Sequence, residues 1–77
     1  MNVEIVWPPA ALAASCRMHW RAATATDAGV IGLAHRGDGV IEWVAPYHHL
    51  RVGGHVAKLI IDREPHGVTV VGLYRAR

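Results

Sequence analysis

Cys16 is the only cysteine in a chain of 77 residues, so no disulfide within the chain can hold its fold together. A domain of this size hides only about 60% of the surface that its unfolded form exposes. A stability of roughly 5 kcal/mol or less is expected unless metal binding or self-association adds to it. A lone thiol also fits a reducing compartment, and a cytoplasmic location is expected.

The core must therefore come from side-chain packing alone. Apolar residues make up 52% of the chain and charged residues 18%, which is far from the balance of a disordered tail. Much of that apolar content is small, with twelve Ala and no Phe. Val, Ile, Leu and three Trp have to supply the bulk. No run approaches the ~18 apolar residues of a membrane span. Glu4 stands where a signal peptide carries positive charge. Residues 1–77 read as one domain with no membrane partner.

Val3, Ile5 and Trp7 alternate with polar neighbours as a half-buried strand does, and Pro8-Pro9 ends the run. Pro9 suits a first helical turn, and the Ala-rich stretch after it predicts a helix over about residues 9–23. Leu12, Cys16 and Trp20 share one face of that helix. A strand competes over Ser15–Thr24, because Cys16, Met18 and Trp20 also alternate with Arg17, His19 and Arg21. Ala22–Gly29 is the expected stop and link. Val30–His35 and Val40–Ala45 flank Arg36-Gly37-Asp38-Gly39, a hairpin signal. Val56–Asp62 and Val68–Arg75 flank a second turn at Arg63–Gly67. Pro46–Gly54 shows no clean period and reads as a loop.

The order is β-α-β-β-β-β. It predicts an α+β domain: a mostly antiparallel sheet of about five strands with one helix on one face. A small all-β barrel is the alternative. Ile41, Trp43, Ala57, Leu59 and Ile61 are expected to face in, with Glu42, Lys58 and Asp62 out. In the final strand Val68, Val70 and Tyr74 share one face, and Val71 and Leu73 the other. Apolar residues on both faces predict a patch that monomers usually avoid. A homodimer, a protein partner or closure into a barrel would cover it.

Catalytic chemistry finds little support. Cys16 and His19 are three residues apart, but Cys16 falls on the expected apolar helix face, where burial would quieten a thiol. Ser15 is the only serine and sits in no nucleophile elbow. No glycine-rich phosphate loop precedes a helix. Arg36-Gly37-Asp38 spells an integrin-binding tripeptide, yet the same residues serve any tight turn. No enzyme and no cofactor are expected, and the domain looks too small to enclose a ligand pocket of ~300 Å³.

Three binding readings remain. The first is a non-catalytic binding protein acting through protein–protein contacts, with Tyr47, His48, His49, Arg51, Val71 and Leu73 as its surface. A chain this small suits an accessory subunit or inhibitor of a larger complex, including one encoded by a phage or other mobile element. The second is a small RNA- or DNA-binding domain. The net charge is only +2, but residues 5–26 and 43–61 contain no acid. Convergence of Arg17, Arg21, Arg51, Lys58 and Arg75 would make a surface for phosphates, and Trp20, Tyr47 and Tyr74 could stack on bases. The third is a metal site at His48, His49 and His55. No Cys, Asp or Glu lies between Trp43 and Ile61 to complete it, so His35 or His66 would have to contribute.

Overall fold

The computed structural model describes residues 3–63 and 66–75. Strand β1 (Glu4–Val6) leads through Pro8-Pro9 into helix α1 (Pro9–Cys16) and helix α2 (Trp20–Arg36). Strands β2 (Val40–Val44), β3 (Tyr47–Val52), β4 (His55–Arg63) and β5 (His66–Arg75) follow. They form one five-stranded sheet in the order β1-β5-β4-β3-β2. The pairing of β1 with β5 is parallel and the other three are antiparallel. This is the expected α+β arrangement. The sheet is open, so the barrel alternative is set aside.

The helical region departs from its predicted bounds. The expected helix over 9–23 is two helices, broken at Arg17–His19. Pro9 opens α1 as predicted. His19 starts α2 afresh, its ring Nδ1 accepting the Arg21 N–H at 3.2 Å. The competing strand over Ser15–Thr24 is absent. So is the strand expected at Val30–His35, which is helical. Thr26, Val30 and Leu33 continue a helical stripe, and that spacing outweighs the β preference of Val30 and Ile31. Gly29 is no stop either. It lets α2 lie close on β3, because a Cβ there would stand 2.7 Å from Val52 Cγ2.

Arg36-Gly37-Asp38-Gly39 is likewise not a hairpin tip. Gly37 ends α2 in the left-handed region at φ 70°, and Arg36 Nε donates to Asp38 Oδ2 at 2.7 Å. The first hairpin lies downstream, where a cis Ala45–Pro46 bond turns β2 into β3. The segment expected as a loop, 46–54, is therefore mostly strand. The hairpin expected between the last two strands is present, and its Pro65 lies outside the described residues.

Both helices cover the same face of the sheet. Ala11 of α1 and Val30 of α2 pack with Leu50, Ala57, Leu59, Val68 and Val70, and Ile5, Trp7, Ile61 and Leu73 border this core. Thr26 is the buried polar side chain within it, its hydroxyl donating to the Ala22 carbonyl at 2.8 Å. The face expected for α1 is the wrong one. Ala11 points in, whereas Leu12 is 50% exposed and Trp20, at the start of α2, 67% exposed. A small residue at the contact lets the helix sit close to β5.

Candidate functional site

Register sorts every strand residue by face. On the uncovered face three rows cross the sheet. Val44 opposes Tyr47, while Ile60 and Val6 flank Thr69. The middle row is Glu42, His49, Lys58 and Gly72. The third is Val40, Arg51, Val56 and Tyr74. Polar groups tie the rows together: Lys58 Nζ lies 5.1 Å from the Tyr47 ring centroid, and the Tyr74 hydroxyl shares a hydrogen bond with His49 Nδ1 at 2.8 Å. The expected continuous apolar patch is thus broken across its centre, and its aliphatic residues lie toward the margins.

A bulge in β5 explains part of this. Leu59 opposes Val70 and Lys58 opposes Gly72, so Val71 is an extra residue with no opposite partner. The bulge resets the alternation beyond it. Leu73 opposes Ala57 and joins the core face, contrary to the sequence reading, while Tyr74 moves to the open face.

The six residues expected to contact a partner do not share one surface. Tyr47, His49 and Arg51 lie on the open face. His48 lies on the helix side opposite Leu59, its ring centroid 4.8 Å from that of Trp43. Leu73 borders the core, and Val71 sits in the bulge. His48 and His49 project to opposite faces of the sheet. Among the described residues no three His, Cys, Asp or Glu side chains come together. Cys16, expected to be buried, is exposed.

A run of exposed apolar residues lies on the edge strand β2. All five residues of β2 are exposed, and four of them are Val40, Ile41, Trp43 and Val44. Ile41 and Trp43 face the helix side as predicted, but α2 packs chiefly on β3 and β4. Trp43, expected in the core, is 60% exposed, and Val40 is 67% exposed. Among the described residues, the outer edge of β2 also has no neighbouring strand. Apolar residues at both parities read as a strand covered on both faces, whereas this one stands at the rim.

The basic residues separate into groups. Arg51 and Lys58 are on the open face. Arg21 turns toward the Trp20 ring, 5.3 Å from its centroid. Arg17 and Arg75 line one cleft together with His19 and His55. The cleft has a volume of about 380 Å³ and is open to solvent, so the domain holds a concavity larger than its size suggested. Arg77 lies outside the described residues.

No protein-family model, curated protein or solved structure matches the chain. Among the described residues, no helix is long and apolar enough to cross a membrane.

Proposed function

We propose that this chain is a non-catalytic binding protein that takes an extended segment of another protein onto the free edge of β2. The observation that carries this reading is a rim strand with four apolar residues in five, exposed on both faces. Natural proteins usually blunt such an edge, because its unpaired N–H and C=O groups are a template for another strand. Strand addition would satisfy those groups, and the alternating side chains would supply specificity. Trp43 is the residue type most often found at a binding hot spot.

A foreign strand suits this edge better than a second copy. Antiparallel self-pairing that sets Ile41 against Trp43 of the other copy is centred on Glu42. It would place two carboxylates directly opposite each other, which is destabilising. A partner segment with a cation at that position avoids the repulsion. The same reading makes the protein an accessory subunit or inhibitor, and the lone Cys16 fits a cytoplasmic setting.

Cross-linking mass spectrometry on the chain captured from its native cell, with and without nuclease, tests the proposal. Cross-links from residues 40–44 to a partner polypeptide are expected. They should disappear in a Val40→Lys/Trp43→Lys variant that unfolds at the wild-type urea midpoint. Capture unaffected by the variant, or lost on nuclease treatment, overturns the proposal. Cross-links between copies, with a dimer mass in solution, overturn the choice of a foreign strand.

A further inference from the structure

We propose that the cleft between the α1–α2 corner and the ends of β4 and β5 binds a small phosphorylated ligand. The site is separate from the β2 edge, since β4 and β3 lie between β5 and β2. Four basic side chains from three parts of the chain line it: Arg17 and His19 in the α1–α2 corner, His55 opening β4 and Arg75 closing β5. The register brings His55 directly opposite Arg75, and both lie on the face that the helices cover.

The charge balance is one-sided. Among the described residues no acid lines the cleft, and no carboxylate pairs with Arg17 or Arg75. Arg17 and Arg75 put positive potential at the concavity, which favours an anion there. The two guanidinium groups offer planar donor forks that match phosphate oxygens. His19 also lines the cleft, and with its Nδ1 accepting the Arg21 N–H a neutral ring carries its proton on Nε2. The carbonyl end of α1 offers little competition. The Arg17 N–H donates to the Ala13 and Ala14 carbonyls and the Met18 N–H to that of Ser15.

Size and walls set the ligand class. A volume of about 380 Å³ is near the lower end for small-molecule sites and has room for a phosphate with a modest organic group. Met18 and Leu73 give that group an apolar wall.

Titrating the 15N-labelled chain with inorganic phosphate, with AMP and with a single-stranded RNA 12-mer, each at matched ionic strength, tests the assignment. Phosphate and AMP should shift the amides of residues 17–21, 55 and 73–75, with AMP the tighter of the two. Arg17→Gln/Arg75→Gln should weaken both by at least tenfold, while Arg51→Gln/Lys58→Gln leaves them unchanged. The spectra of both variants away from the substitutions serve as the folding control. Shifts equal to those given by sodium chloride, or shifts spread over all the basic residues, overturn the proposal. So does RNA binding that is tighter than AMP binding and draws in Arg51 and Lys58.

Discussion

Thr26 is 1% exposed and hydrogen-bonds within its own helix, so its hydroxyl contributes little that a methyl group would not. The Ala22 carbonyl keeps its place in the helical ladder if the hydroxyl is lost. Thr26→Val is therefore expected to change stability by less than about 1 kcal/mol in urea unfolding. Leu59 is fully buried among strand and helix residues, and Leu59→Ala should lose about 2–5 kcal/mol. A loss of that size is comparable with the whole stability of a domain this small. Trp43 is the opposite case. A core tryptophan replaced by Ala costs about 3–5 kcal/mol, but Trp43→Ala here should cost less than about 1 kcal/mol, because the residue is 60% exposed with its ring against His48. A loss of several kcal/mol would show that the ring is buried after all. Its direction was legible from the alternation in Val40–Val44. Its exposure was not, because no local pattern says how far a distant helix extends.

At the scale of elements, Gly29 decides how closely α2 approaches the sheet. Helix propensity alone favours Ala over Gly by about 1 kcal/mol. The β-branched Val52 has few rotamers with which to move aside from a new methyl group 2.7 Å away. Gly29→Ala should therefore destabilise, by about 1–3 kcal/mol net, and a rise in the urea midpoint would refute the close approach. This glycine also shows why the middle of the chain was hard to read. Gly29 and the β-branched pair after it look like a stop followed by a strand. Only the spacing of Thr26, Val30 and Leu33, which pack across one stripe, reveals a helix. Asp38-Gly39 resembled a hairpin turn for a similar reason, since a helix C-cap and a tight turn both need residues that accept positive φ. The last hairpin was legible because two apolar runs bracket Pro65 and Gly67 in the sequence, although Gly67 itself pairs with Asp62 within the strands. The bulge at Val71 was not, because a bulge is defined by the partner strand.

Across the whole molecule, the two proposed surfaces are supported by different physics and can fail separately. The basic cleft escaped sequence reading because Arg17, His19, His55 and Arg75 come together only when the α1–α2 corner meets the ends of β4 and β5. The exposed rim has a consequence for handling the protein. Val40→Lys/Trp43→Lys should raise the temperature at which light scattering begins on heating, with the urea midpoint unchanged. An unchanged onset would mean that β2 does not nucleate association. The parallel pairing of Glu4–Val6 with Gly67–Thr69 joins the two extremes of the described chain through an inner strand. Because β5 is produced after every other strand yet sits between two of them, β1 has no pairing strand, and α1 lacks most of its packing surface, until it arrives. A polypeptide halted before Gly67 would hold a three-strand meander with its greasy side half bare, and assembly must wait on a closure that spans nearly the full length.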